Sequence, residues 1–238
     1  MSWPKQQPFL SSEDVAINDD WQAYWLTLAQ KSFSGIQKFN HEYTIRAGAK
    51  SRGPTLEIGS GDGEHIERER LAGGLSDEYH VIEMREDLAN IVRRRFPQVD
   101  VTVGDCQKEL PFESNSLRRI IAIHVLEHLN NLPAFLQEAA RVLGPSGRLL
   151  VVIPCEGGLM YGLGRNATTK RLFEKRYNTS YKRFIRSEHL STAKEVISEL
   201  ANLFTIESSE WWPLKVPSVH LNVCIGLCLA PRSPGSAR

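Results

Sequence analysis

The sequence predicts an α/β protein with a mostly parallel sheet, helices on both of its faces and a helical extension in front. Three observations carry this. Five short apolar runs, at 55–58, 80–83, 99–103, 120–123 and 149–153, alternate with amphipathic stretches near 64–72, 86–95 and 132–143. Strand, helix, strand at that spacing makes βαβ units, and a parallel sheet is buried on both faces. Two more strand-like runs, 204–211 and 221–229, follow a helical stretch near 188–202 and bring the strands to seven. The expected division is an N-terminal helical extension over 1–50, a main domain over 51–230 with an insertion at 155–187, and a loose tail over 231–238.

Each element has a local reason. Residues 1–14 are punctuated by Pro and Ser, so poor order is expected there. Trp21, Trp25 and Leu28, then Ile36, Phe39 and Tyr43, recur at helical spacing, and Gly35 can split them into two helices. Gly144-Pro-Ser-Gly147 reads as a turn between the third helix of the alternation and the fifth strand. After Pro154 the alternation stops, and 155–187 reads as irregular, Gly-rich and then basic.

Composition excludes several classes. The chain has 238 residues, is 41% apolar and 24% charged, and carries a formal net charge of +1. Those values suit a globular protein and argue against one that coats polyanions. No stretch approaches the ~18 apolar residues of a membrane span, so no integral membrane protein is expected. The N-terminus lacks an apolar h-region. Cys106, Cys155, Cys224 and Cys228 have no C-x-x-C spacing, which points to a reducing, cytoplasmic setting.

The strongest motif is Leu56-Glu-Ile-Gly-Ser-Gly-Asp-Gly-Glu-His65, where the first strand ends. Gly59, Gly61 and Gly63 permit a tight turn and let a ligand press on bare backbone at a helix N-terminus. The Gly-Lys-Ser/Thr of a P-loop is absent, and a pyrophosphate would meet Glu57 and Asp62. A cationic ammonium would welcome Glu57. Glu83 ends the second strand 20 residues past Gly63, the place of a ribose-binding acid. Asp105, in Gly104-Asp105-Cys106 after the third strand, can accept from an adenine amine. All three features sit at strand carboxyl ends, where open α/β sheets bind ligands.

With these residues the chain resembles the class I S-adenosylmethionine-dependent methyltransferases, in particular the type 11 group. The likeness runs over 55–154 and continues through Leu110-Pro-Phe-Glu-Ser-Asn-Ser116, His124-Val-Leu-Glu-His128 and Ala140-Arg-Val-Leu-Gly-Pro-Ser-Gly-Arg148. One departure is Leu117-Arg118, where the family usually places Phe-Asp. The resemblance implies a Rossmann-like seven-stranded sheet with an antiparallel last strand and a lid insertion after strand five. It implies S-adenosyl-L-methionine as cofactor, S-adenosyl-L-homocysteine as product, and no metal. By position, Glu57 and the backbone of Gly59, Ser60 and Gly61, with Gly63 in the same loop, would hold the methionine end. Glu83 would take the ribose hydroxyls, Met84 would pack on adenine, and Asp105 with the Cys106 amide would read the adenine edge. Ile123 and His124 would lie near the sulfonium.

The implied reaction is methyl transfer by in-line displacement, driven mainly by proximity and orientation. A general base is needed only for a hydroxyl or a protonated amine, and the candidates are His124, Tyr161, His189 and Glu156. His124-Val-Leu-Glu-His128 also matches the H-x-x-E-H of zinc peptidases, but those place it inside a helix. Here an apolar run leads into His124 as a strand would, so zinc is not expected; both histidines as packing residues remains the bland alternative.

Residues 165–186 hold eight basic residues against Glu174 alone, a local charge of +7, so the rest of the chain sums to −6. Phe173, Tyr177, Tyr181 and Phe184 make a helical stripe through the same window. One reading is a lid that offers Arg171, Arg176, Arg183, Tyr177 and Tyr181 to a small-molecule or anionic acceptor. The other is a solvated basic face whose aromatics pack on the core. Nucleic acid or a lipid head group is a narrower acceptor class. A cofactor-binding regulator or partner subunit without catalysis is the alternative from a different class.

Overall fold

A computed structural model describes residues 2–32 and 34–232, the side chains of 26–27, 29–32 and 34 excepted. Two helices, α1 (Ser12–Ser32) and α2 (Ser34–Ala47), precede the alternating core. The core runs β1 (Thr55–Ile58), α3 (Glu64–Leu71), β2 (Tyr79–Glu83), α4 (Glu86–Arg95), β3 (Asp100–Val103), β4 (Leu117–Ile123), α5 (Leu132–Val142) and β5 (Leu143–Pro154). Three short helices follow, α6 (Leu159–Ala167), α7 (Thr169–Tyr177) and α8 (Tyr181–Glu188). The chain closes with α9 (Ala193–Leu203), β6 (Phe204–Trp212) and β7 (Cys224–Pro231).

The seven strands form one sheet in the order β3-β2-β1-β4-β5-β7-β6. Pairs from β3 to β5 are parallel, and β7 runs antiparallel to both β5 and β6. The strand order reverses between β1 and β4, so a crevice opens at their carboxyl ends. On one face, Leu56, Ile120, Leu149, Val151 and Leu227 pack against Phe135 and Leu136 of α5 and Val196 and Leu200 of α9. On the other, Tyr79 and Val81 pack with Ile66 of α3 and Ala89 and Val92 of α4. Phe39 and Tyr43 of α2 cover Val152 and Cys224, so α2 completes the sheet's second face. Contact there is close: a Cβ on Gly226 would lie 2.4 Å from the Tyr43 ring.

Inside the sheet, Arg119 of β4 is fully buried. Its guanidinium pairs with Glu69 of α3 at 2.9 Å and donates to the Thr55 hydroxyl at 3.0 Å. A charge taken this far from water needs such a partner.

Several expectations change. Residues 155–187 are helical, not irregular. The aromatic stripe spans two helices because Asn178, at φ 51°, ends α7 in the left-handed region. Trp21 of α1 takes the stripe's inner side: Phe173, Tyr181 and Phe184 bury against it with Ile17, Tyr24 and Trp25 beside them. The turn expected at Gly144-Pro-Ser-Gly147 lies within β5. Leu143 already pairs with Leu117 before the register jumps to Arg119–Arg148. The helix expected from 188 starts at Ala193, where Thr192 and Glu195 form a capping box. The leading segment is tied down as well. Lys5 donates its backbone N–H to the Asn130 carbonyl at 2.7 Å, and the Trp3 indole donates to Glu199. Of the expected tail, Pro231 ends β7 and the Arg232 amide donates to the Leu203 carbonyl; residues 233–238 lie outside the described residues. Among the described residues no helix is long and apolar enough to cross a membrane.

Candidate active site

A cavity of about 1010 Å³ opens over the carboxyl ends of β1, β2, β3 and β4. The loop after β1 forms part of its floor. Gly59, Gly61 and Gly63 all take positive φ, at 66°, 57° and 86°. A side chain on Gly59 would also strike Val125 at 2.7 Å, so the tight turn requires glycine there. Glu83, at the end of β2, is buried on the cavity wall. One of its oxygens accepts the Gly61 N–H at 3.1 Å and the other the Arg85 N–H at 2.9 Å. These bonds aim the carboxylate and leave lone pairs for further donors. Met84 follows at the rim, 70% exposed. Asp105, past β3, accepts from the backbone and side chain of Gln107 on Oδ1 and lines the cavity. Burial pushes the neighbouring Cys106 thiol up to about 12, so that side chain is inert packing.

A second group of side chains lines the other end. β4 delivers His124 at φ 54°, and its backbone N–H donates to the Val152 carbonyl. A short 3₁₀ turn over Leu126–His128 then brings Glu127 and His128 inward. Glu127 is buried, with Oε1 3.4 Å from His124 Nδ1 and 3.8 Å from His128 Nε2. Burial alone raises the Glu127 carboxyl, but the neighbouring imidazoles of His124, His128 and His189 more than offset it and hold it at about 2. His128 is lowered by its own burial. His189 lies 4.9 Å from His128, ring to ring, and its Nδ1 meets Glu156 Oε2 at 2.8 Å. The Arg165 guanidinium takes the same Glu156 oxygen at 2.5 Å. Burial pushes the Tyr161 phenol well up, which makes it a poor base at neutral pH. Glu127, His128 and His189 each place a ligand atom within 4.8 Å of the others, so the metal-free expectation meets a cluster of metal-ligating type.

α1 roofs the space between the two ends. Asn18 and Gln22 both donate to Glu188 Oε1, and Gln22 accepts from Arg85 at 3.0 Å. Trp21 and Trp25 face the cavity from above, and Trp212 and Cys224 border it from the side.

Residues 56–151 match the family described as "Methyltransferase domain". Over these residues the chain is similar to S-adenosylmethionine-dependent methyltransferases. A probable S-adenosylmethionine-dependent methyltransferase of Mycobacterium tuberculosis is 32% identical over 99 residues, covering 42% of this chain and 35% of the relative. A demethylmenaquinone methyltransferase of Tropheryma whipplei is 31% identical over 113 residues, covering 44% and 46%. The chain thus spans about a third to a half of the length of these two curated relatives. Among solved structures, a protein from Pyrococcus horikoshii OT3 superposes with a TM-score of 0.60 at 18% identity, covering 85% of this chain and 93% of the other.

S-adenosylmethionine fits this cavity in kind: the Glu83 and Asp105 carboxylates retain acceptor capacity at one end, beside bare Gly61 backbone. Gly59, Gly61, Glu83, Met84, Asp105, Cys106, His124, Tyr161, Tyr181 and His189 come together on this lining. Other expected residues do not. Glu57 is buried away from the cavity, accepting the Tyr79 hydroxyl at 2.7 Å, and burial raises its carboxyl. Ser60 and Gly63 support the loop from behind, with Gly63 capping α3. Ile123 packs beside Phe39 and Tyr43. Arg176 and Tyr177 are bound to Asp20 of α1, at 2.9 and 2.5 Å, and Arg183 pairs with Asp14. Arg171 stays exposed outside the cavity. Arg176 and Arg183 therefore fasten the roof rather than face inward, and of this basic window Arg165 lines the cavity. Glu127 and His128 were legible only as a motif set aside for its context, and nothing local in the sequence marks Asn18, Gln22 or Glu188.

Proposed function

We propose that this chain transfers a methyl group from S-adenosylmethionine to a small-molecule acceptor. The observation that supports it is one cavity with two chemistries: carboxylate acceptors suited to adenosine at one end and an imidazole and aromatic wall at the other. Bound there, the cofactor supplies an already activated methyl group. Glu83 would accept from the ribose hydroxyls, Asp105 from the adenine amine, and the Gly59–Gly61 backbone would seat the methionine end. His124, at the end of β4, would border the methyl site.

The chain's main task is orientation, which can supply up to ~7–11 kcal/mol. Trp21, Trp25, Tyr181 and Phe184 would hold an apolar or aromatic acceptor body and exclude water. An anionic substituent would find Arg165 and Arg85, the cavity's guanidinium groups, each already balanced by an acid. His124 or His189 would receive a proton where the acceptor brings one.

Two measurements test this. Calorimetry should show S-adenosylmethionine binding that is lost in the Glu83→Ala, Asp105→Ala double variant; unchanged binding would refute the cofactor assignment. Labelled-methyl transfer into a metabolite extract, read by mass spectrometry, should mark a product, whereas binding without transfer would identify a regulator.

A further inference from the structure

We propose that Glu127, His128 and His189 bind a divalent transition-metal cation at the acceptor end of the cavity. Their ligand atoms already stand within 4.8 Å of one another. Donors sharing an ion at ~2.0–2.2 Å stand up to about 4.4 Å apart, so small side-chain rotations close the set.

The surroundings prepare each ligand. His128 Nδ1 lies 2.8 Å from the Glu188 carbonyl oxygen. A carbonyl only accepts, so Nδ1 carries the proton and Nε2 keeps its lone pair. His189 Nδ1 is likewise engaged by the Glu156 carboxylate at 2.8 Å, which frees its Nε2. A carboxylate or carbonyl behind each ring is the arrangement that orients metal-bound histidines. Glu127 supplies the charge. Its side chain is 2% exposed, and its Oε2 is buried with no hydrogen-bond partner. A buried carboxylate oxygen left unpaired is costly, and an ion removes the cost. Two imidazoles and one carboxylate suit Mn²⁺, Fe²⁺, Co²⁺ or Zn²⁺ better than Mg²⁺ or Ca²⁺. Three protein ligands leave coordination positions open, and all three residues line the cavity.

The ion's role in transfer rests on the methyltransferase reading; its binding does not. It would take an acceptor hydroxyl oxygen as ligand. The O–H bond breaks, the proton passes to solvent, and the electron pair stays on the metal-held oxygen. That oxygen then bonds to the methyl carbon as the S–CH₃ bond breaks, its electron pair going to sulfur. Phenolic or vicinal hydroxyl compounds are the acceptor class this selects.

The test is titration of the chelator-stripped full chain with Co²⁺, followed by visible absorption and by metal analysis. One equivalent per chain is expected. Losing a group that orients a metal-bound histidine typically weakens metal binding ~10–100-fold, so Glu156→Gln should fall in that range and His128→Ala or His189→Ala should exceed it. Circular dichroism and S-adenosylmethionine calorimetry on each variant separate loss of the metal site from loss of the fold or the cofactor site. Absence of stoichiometric binding to the folded wild-type chain, or wild-type affinity in both histidine variants, overturns the proposal. Metal binding without methyl transfer retains the site and refutes the enzymatic reading alone.

Discussion

Phe173→Ala should loosen the cavity's roof while sparing the sheet. Phe173 is fully buried, and its ring centroid lies 4.8 Å from Tyr177 and Phe184, 5.1 Å from Tyr181 and 5.2 Å from Trp21. It meets rings from α1, α7 and α8 at once. Truncating a buried Phe costs about 3–5 kcal/mol. The cluster borders an open cavity and can partly collapse, so the lower end applies. About 3 kcal/mol raises a local opening constant roughly 150-fold. Hydrogen exchange with mass spectrometry should show that acceleration in 12–25 and 169–188. Amides of β4 and β5, whose side chains pack with α5, α9 and α2, should keep their protection. Wild-type exchange in the roof, or equal acceleration in the sheet, would refute the idea that the roof opens as its own unit.

Two further outcomes test the packing and the electrostatics. Gly226→Ala forces a Cβ into the Tyr43 ring and should cost about 1–3 kcal/mol. For a chain of this size that lowers Tm by roughly 2–12 °C in a calorimetric scan, and Tyr43→Ala should recover part of the loss. Glu64 is held at about 2, against an ordinary 4.5, first by its hydrogen bond with His41 and then by Arg68. A depressed carboxyl contributes stability that is present above its unfolded value and lost as pH falls through the folded one. Unfolding midpoints should therefore drop between pH ~5 and ~2, and Glu64→Gln should flatten that limb.

The cofactor half of the fold was legible because its signals are local. The runs that became β1, β4 and β5 are apolar on both faces, as strands buried between two helical layers must be. The acceptor half was not, because its partners are remote. The density of cations at 165–186 suggested a surface turned toward a substrate. Asp14 and Asp20, more than 150 residues earlier, take two of those cations instead. Glu57 is a similar case: an acid beside a glycine loop invites an ammonium, but Tyr79 on the neighbouring strand occupies it. The H-x-x-E-H motif, lacking a helix around it, gives no expectation of a metal from sequence, though it marks His124 as a candidate base. A left-handed residue followed by one 3₁₀ turn points Glu127 and His128 inward without a helix, and His189 arrives from 61 positions further on.

The bonds from Asn18 and Gln22 to Glu188 have a consequence for how acceptor preference can change. The cavity's roof comes from segments on either side of residues 56–151 in the sequence. A chimera that exchanges only the segment after β5 leaves Asp14, Asn18 and Asp20 facing strangers, and exchanging only α1 strands Arg176, Arg183 and Glu188. On the proposed function, specificity belongs to a matched pair of segments, which must be replaced together for a new pocket to close.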